Sequence, residues 1–308
     1  MNEHVDVLAI GSLNHDIVAG VDVAPGPGET VLARTLTRTN GGKGGNQSVA
    51  AARAGAVVRL VSAVGHDAEG DMQVDDLAAQ GVDTSAIIRP AGERTALALI
   101  WVTPDGENSI IVTPGAKDHV TPELVHAQAA HEEGGTLAAG LVLAQSEVGA
   151  AVIDAAADLA GELGARYALS CGPVVLPSAA TLRRCDPLIV NASEARDLLG
   201  QLDANQLAPE DDLATALLTA TGAHSVIVTL GARGSQLAEA GAEPVFIPAA
   251  PAAQVVDTTG AGDTYCGVVV ARLALGDSLL TACRQASVAA AEAVGWPGAR
   301  PGITRLGR

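Results

Sequence analysis

Short runs of Val, Ile and Leu alternate along the chain with longer alanine-rich stretches, and this rhythm restricts the possible folds more than any other feature. Residues 5–10, 57–64, 137–143, 166–170, 188–190 and 225–230 are the candidate buried strands. Between and after them, residues 47–54, 68–80, 149–163, 193–199, 210–221, 264–275 and 277–294 read as helices, several with Ser, Asp or Pro near their starts. Strands that are apolar throughout must be covered on both faces, so the expected fold is α/β and doubly wound, a mostly parallel sheet with helices on both sides. No period of 20 to 50 residues marks a repeat architecture.

Two stretches break the rhythm. Residues 31–38 alternate apolar and polar positions, and residues 95–112 do so less cleanly around the turn Pro104-Asp105-Gly106. Alternation implies one buried and one wet face, which does not suit the centre of a covered parallel sheet. They are therefore assigned to a small separate β-sheet, with segments 14–40 and 95–115 forming a lid and segments 1–13, 41–94 and 116–308 the α/β core. A lid beside a reaction cleft would exclude water from it. A plain hairpin insertion or a dimer contact would produce the same alternation.

Composition removes several classes of function. With 308 residues the chain can build one large core, and 48% of them are apolar. One Phe, two Tyr and two Trp are too few to stack a single-stranded nucleic acid. A net charge of −17 repels phosphate backbones and anionic membranes, so neither nucleic acid nor membrane is an expected partner. The first six residues carry acids where a signal peptide needs Lys or Arg, and the cytoplasm is the expected location. Cys171, Cys185, Cys266 and Cys283 lack the spacing of a zinc site or a disulfide framework and read as small buried apolar residues.

The densest chemistry lies in Asp257-Thr258-Thr259-Gly260-Ala261-Gly262-Asp263, where two glycines and a carboxylate open an apolar helix. Free N–H groups at a helix start favour an anion, and glycines let it approach the backbone. An acid in the same turn would repel a resting phosphate, and makes sense as a base that takes a proton during transfer. A tight turn followed by an ordinary first-turn acid is the alternative. Gly41-Gly42-Lys43-Gly44-Gly45-Asn46-Gln47 is the second glycine-rich run. It is not a Walker motif, because Lys43 is followed by Gly44 and not by Ser or Thr. It also lacks the preceding buried strand of a dinucleotide fingerprint. Asn14 and Asp16 follow the first strand at its carboxyl end, and an amide and a carboxylate in alternation suit the adjacent hydroxyls of a polyol.

On these segments the chain resembles the ribokinase-like (PfkB) carbohydrate kinases, nearest to their ribokinase branch. The resemblance runs through GSLNHD (11–16), PGPGET (25–30), GGKGGNQSVAAARAGA (41–56), Asn191 to Glu194, Thr229 to Gly234 and DTTGAGDT (257–264). It implies a sugar pocket of Asn14, Asp16, Gly42, Lys43, Asn46 and Glu147, with Asp263 facing the hydroxyl to be phosphorylated. His15, between two pocket residues, would point away. For ATP it implies Asn191, Glu194, Thr229, Gly231, Gly234 and Gly262, with Glu194 the member associated with Mg2+. Asn191 and Glu194 also fit a plain helix capping box. The family's monovalent cation, usually K+, would take Asp257 and the carbonyls of Thr259, Ala293, Trp296, Gly298 and Gly302. Three positions depart from the family: Gly302 stands where a Ser is common, Trp296 is unusual in its loop, and Gly115-Ala116-Lys117 replaces Gly-Ala-Asn.

The activity so implied is in-line transfer of the ATP γ-phosphoryl group to a primary sugar hydroxyl, D-ribose giving ribose 5-phosphate. Asp263 would be the base, the N–H groups of Gly260, Ala261, Gly262 and Asp263 the anion hole, with Lys43 assisting. The partners are then a small sugar and ATP, and family analogy implies a homodimer through the lid sheets. Deoxyribose, fructose, nucleoside and ketodeoxysugar kinases share the anion pocket, although the scarcity of aromatics weakens the nucleoside reading. A non-catalytic sensor would not need the base, and a nicotinamide dehydrogenase lacks its glycine fingerprint.

Overall fold

In the computed structural model, which describes residues 3–105, 107–129, 137–203 and 208–300, strand β1 (Glu3–Ile10) shows why the main sheet is covered on both sides. Leu8 and Ile10 enter one apolar core while Val7 and Ala9 enter another, and all four are fully buried. Successive side chains of a strand point to opposite faces, so a strand with no polar face needs two cores. Full burial of each large apolar side chain stabilises the fold by about 1.5–3 kcal/mol.

The remaining strands are β2 (Asn14–Val21), β3 (Ala33–Gly41), β4 (Val58–Ala63), β5 (Val82–Asp83), β6 (Ile87–Ile88), β7 (Ala96–Val102), β8 (Asn108–Thr113), β9 (Leu137–Gln145), β10 (Arg166–Ser170), β11 (Leu188–Asn191), β12 (Ser225–Thr229), β13 (Gly234–Glu239) and β14 (Val245–Pro248). The α-helices are α1 (Lys43–Arg53), α2 (Ala68–Ala79), α3 (Pro122–His126), α4 (Ala150–Leu163), α5 (Ala179–Arg184), α6 (Ala192–Gln201), α7 (Leu213–Thr221), α8 (Ala261–Ala274) and α9 (Leu279–Ala293).

Ten strands form the main sheet in the order β14-β13-β12-β11-β10-β9-β1-β4-β5, with β6 paired to β4. Pairing is parallel from β12 through to β5, and only the β12-β13-β14 edge is antiparallel. The chain runs outward from β1 to β4 on one side and from β9 to β12 on the other. That reversal opens a crevice at the carboxyl end of β1, where sheets of this kind bind ligands. Residues of α4, α6 and α7 fill the core on one face, and those of α1, α8 and α9 fill the other. Helix α8 packs against α1 with little between them: a Cβ on Gly267 would lie 2.4 Å from the Gln47 carbonyl oxygen. Only glycine allows that approach, which holds the amino-terminal turns of both helices side by side.

A second, four-stranded sheet has the order β3-β2-β7-β8. It contains both alternating stretches and also β2, which the sequence pattern does not single out. The alternation in residues 31–38 predicts one buried face, yet Ala33 to Arg38 are all exposed in the chain. No layer of the described residues covers that strand. Other differences are local. Helix α1 begins at Lys43, four residues before the expected start, so the glycine run forms its first turn. The 210–221 stretch divides into a short 3-10 turn, Glu210–Asp212, and α7. All four cysteines are buried and unpaired, as their spacing suggested. Among the described residues no helix is long and apolar enough to cross a membrane.

Candidate active site

The amino-terminal turn of α8 faces a cavity of about 150 Å³ at the carboxyl ends of the central strands. Its walls include Lys43, Asn191, Glu194, Thr229, Gly260, Gly262 and Asp263, seven of the residues singled out in the sequence, together with Gln47, Ser170, Gly172 and Cys266. Gly260 caps the helix with φ 74°, and a Cβ there would lie 2.3 Å from the Ala299 carbonyl oxygen. The position therefore admits only glycine, on conformation and on space. Ala261 begins the helix, and a Cβ on Gly262 would meet nothing within 4 Å, because the turn opens there into the cavity. First-turn N–H groups lack a full helical partner: that of Ala261 reaches the Thr258 carbonyl only at 3.3 Å, and such groups are the ones a helix start can offer to an anion.

Asp263 is held at both carboxylate oxygens. Asn46 Nδ2 donates to Oδ2 and Gln47 Nε2 donates to Oδ1, each at 2.9 Å. Gln47 is in turn fixed from the sheet, donating to Ser170 Oγ at 3.1 Å and accepting from Gln145 Nε2 at 2.9 Å. Two amides on one face of α1 thus aim the carboxylate of α8. The Lys43 ammonium lies among acids: burial alone would lower its pKa, but Asp263, Glu147 and Glu194 together outweigh it and raise it. It stays a cation inside the cavity.

A second group of expected residues adjoins this wall. Glu147 accepts hydrogen bonds from the Ser12 hydroxyl and, at 3.3 Å, from the Lys43 backbone N–H. Asn14 donates its amide to Asp16, and the Asn14 carbonyl accepts from Gln73 Nε2 at 2.6 Å. Gly42, at φ 91°, caps α1 against the backbone of Ser12, Leu13 and Asn14. Burial pushes the Asp16 carboxyl up to about 6, opposed by Arg300 and the Asn14 amide and reinforced by Glu147. His15 is buried on the opposite side of β2 from Asn14 and Asp16, as expected from strand alternation.

Asn191 and Glu194 form a complete capping box at the start of α6, with Asn191 Oδ1 accepting from the Glu194 N–H at 2.9 Å and Glu194 Oε2 accepting from the Asn191 N–H at 2.8 Å. Both also line the cavity, so the capping arrangement and a ligand-facing one coexist. Gly231 and Gly234 do not line it and form the turn between β12 and β13 instead.

A third group gathers beside α8. Asp257 Oδ1 accepts from the Thr259 N–H and Oδ2 from the Gly298 N–H, both at 2.9 Å. Burial alone would raise its pKa, but these N–H bonds hold it below the ordinary carboxylate value. The Val294 carbonyl accepts from the Val256 and Asp257 N–H groups at 2.7 and 3.2 Å, and the Ala293 carbonyl from the Trp296 N–H at 3.1 Å. The segments carrying Asp257, Thr259, Ala293, Trp296 and Gly298 are thereby drawn together, while Gly302 lies outside the described residues. Among those residues no cluster of three or more His, Cys, Asp or Glu side chains is placed to hold a metal.

Comparison with known proteins identifies the family. The model of the pfkB family carbohydrate kinases matches residues 5–305. The chain belongs to that family. As a member it is an ATP-dependent sugar phosphotransferase. It is 33% identical over 294 residues to ribokinase of Haemophilus influenzae, covering 96% of this chain and 94% of that protein. It is 34% identical over 298 residues to ribokinase of Bacillus subtilis, with 97% and 96% covered. Among solved structures, Arabidopsis thaliana ribokinase complexed with ribose and ATP superposes with a TM-score of 0.84 at 29% identity, over 98% of this chain and 96% of that one.

Several side chains that complete the site were not singled out in the sequence as site residues. Gln47 stands inside the second glycine-rich run, and its spacing of four from Lys43 places both on one helical face, which is the cue that could have found it. Ser12 stands in the 11–16 segment beside Asn14 and Asp16, but nothing there marked its hydroxyl as a partner of Glu147. Arg300, in a Gly- and Pro-rich tail segment, donates to Asn46 from a nearly buried position that a charged residue rarely occupies.

Proposed function

We propose that this chain transfers the γ-phosphoryl group of ATP to the primary hydroxyl of D-ribose, giving D-ribose 5-phosphate and ADP. The observation that carries the proposal is the position of Asp263, which faces the cavity of Asn191, Glu194 and Thr229 while two amides of the glycine-rich helix grip its oxygens. A base must stand between donor and acceptor; Asp263 lines the cavity beside Asn191 and Thr229 while bonded to Asn46 of the sugar-side group, which supports that role.

ATP enters from the side of Asn191, Thr229 and the Gly231–Gly234 turn, and its γ-phosphate meets the N–H groups of Gly260, Ala261, Gly262 and Asp263. Ribose is held by Asn14, Asp16, Gly42, Lys43, Asn46 and Glu147. Asp263 accepts the proton of the attacking hydroxyl, and the Lys43 ammonium and the helix start stabilise the charge spread over the migrating phosphoryl oxygens. The four-stranded sheet closes over the sugar and keeps water out.

Glu194 suits Mg2+, which normally keeps several waters and binds one or two carboxylates plus substrate phosphates; bound there it would neutralise charge on the phosphate chain. One carboxylate, Asp257, amid the carbonyls of Thr259, Ala293, Trp296 and Gly298 suits a weakly hydrated monovalent cation such as K+, which would lend positive charge beside the anion pocket.

Ile110 and Val112 stand 54% and 52% exposed on one face of the small sheet, a surface that profits from cover by a second copy. We assign the protein as a homodimer through these sheets.

ADP release measured with a panel of pentoses, hexoses and nucleosides, with and without K+, tests the activity. Ribose should be the best acceptor, with K+ stimulating. Preference for another sugar or a nucleoside, or no release at all, would overturn the assignment.

A further inference from the structure

We propose that Arg300 is a positioning residue that sets the polarity of two amides, aiming one at the catalytic carboxylate and the other at the sugar-binding turn. The proposal rests on the reading of Asp263 as base and of Asn14 and Asp16 as sugar ligands.

The Arg300 side chain is 7% exposed, and its guanidinium is spread over four acceptors. Nε donates to Asn46 Oδ1 at 3.1 Å, Nη2 to Gln73 Oε1 at 2.8 Å and to the Gly41 carbonyl at 3.1 Å, and Nη1 to Asp76. Guanidinium donates only, so each amide must turn its oxygen toward Arg300 and its NH2 away. For Asn46 the NH2 then meets Asp263 Oδ2 at 2.9 Å. For Gln73 it meets the carbonyl of Asn14 at 2.6 Å, with Gly41 further off at 3.3 Å. Were Asn46 flipped, its oxygen would face a carboxylate, and the base would lose a donor and gain a repulsion. One cation thus orients both walls of the proposed reaction site without touching either reactant. A buried ion pair with Asp76 would have needed only one of these contacts.

Arg300 also follows Ala299, whose carbonyl closes over Gly260, so the segment that presses on the anion pocket is the one that supplies the guanidinium. Its charge reaches Asp16 as well. Burial raises that carboxyl, Glu147 raises it further, and Arg300 and the Asn14 amide oppose them.

Steady-state kinetics of Arg300→Met and Arg300→Lys, with thermal denaturation alongside, test the proposal. Arg300→Met should lower kcat by about 10- to 100-fold, the range expected when a reacting group is slightly misplaced, and raise the ribose KM while leaving the ATP KM near its original value. It should also move the acidic limb of kcat/KM for ribose to higher pH. Arg300→Lys keeps the charge but cannot fork over four acceptors, so the limb should stay in place while kcat remains low. A purely structural role would lower the melting temperature and leave kcat of the folded enzyme intact. Folded Arg300→Met with kcat and ribose KM within about twofold of the original overturns the proposal; should that variant not fold, original kcat in Arg300→Lys does so. If the unmodified enzyme releases no ADP with ribose, the functional reading fails and takes the proposal with it, so the two failures are distinct.

Discussion

Asn46 and Asp263 are separated by 217 positions in the chain and joined by a hydrogen bond of 2.9 Å. The bond exists because α1 and α8 touch backbone to backbone one turn further on, where Gly267 meets Gln47. Packing in the core therefore fixes a distance in the site. A side chain at position 267 would separate the helices and with them the base from its two amides.

Replacing Asp263 with Asn removes the proposed proton acceptor and leaves its shape. Turnover should fall by at least roughly 10²-fold, the low end for a positioned general base. Ribose affinity measured by calorimetry should stay within a few-fold, since the neutral side chain still fills the same space. Unaltered turnover would remove Asp263 from the chemistry.

The strand rhythm was readable because each central strand feeds two cores, and β1 has no polar face to obscure the pattern. The glycine runs were readable because anion binding and close helix packing both demand bare backbone, as at Gly260. Less visible were contacts that depend on two helices meeting. Gln47 lies on the correct face of α1, but nothing in the residues around it says that Asp263 lies opposite. Arg300 was hidden for another reason: a lone cation in a Gly/Pro segment reads as solvated, and its burial results from four acceptors on segments more than 200 positions away. The exposure of β3 was misread because alternation fits a half-buried strand, whereas none of the described residues covers this one.

Asp16 sets the expected pH response. Its carboxyl, raised to about 6 by burial, is ionised above that pH and protonated below it. If Asp16 holds the sugar as proposed, hydroxyls donate to its ionised form, so ribose affinity should be full well above pH 6 and be lost as pH falls through it. At pH 5 about a tenth of the enzyme carries the charge, and the ribose KM should be roughly tenfold above its value at pH 7. Asp16→Asn should raise KM at neutral pH and flatten this dependence. A KM for ribose that does not change between pH 5 and 7 would rule out an ionised Asp16 as a ligand.

The small sheet offers a test of assembly. Ile110 and Val112 are on the side of β8 that shares a face with Asp16, through the pairs Ile110–Ile100 and Val112–Ala98. Placing Asp at position 110 puts a charge in a surface expected to be covered. Sedimentation should show a dimer for the original chain and a monomer for Ile110→Asp, with a higher ribose KM because the covered edge of the pocket opens. A monomeric original chain, at concentrations above those used in assays, would remove the dimer from the proposal.

Two glycines of one turn should respond to the same substitution in opposite ways. Gly260→Ala puts a side chain where φ is 74° and where the Ala299 carbonyl oxygen is 2.3 Å away. Positive φ alone costs about 1–3 kcal/mol, and relieving the collision shifts the segment against which the turn is built. Both the melting temperature and kcat should fall. Gly262→Ala meets no atom within 4 Å and lies inside α8, where alanine is favoured over glycine by up to about 1 kcal/mol. Its stability should hold or rise, yet its methyl group enters the open end of the cavity, where the migrating phosphoryl group is proposed to rest. Turnover should fall there without loss of stability. Such a separation cannot arise from general damage to the fold, and full turnover in Gly262→Ala would mean that the phosphoryl group rests elsewhere.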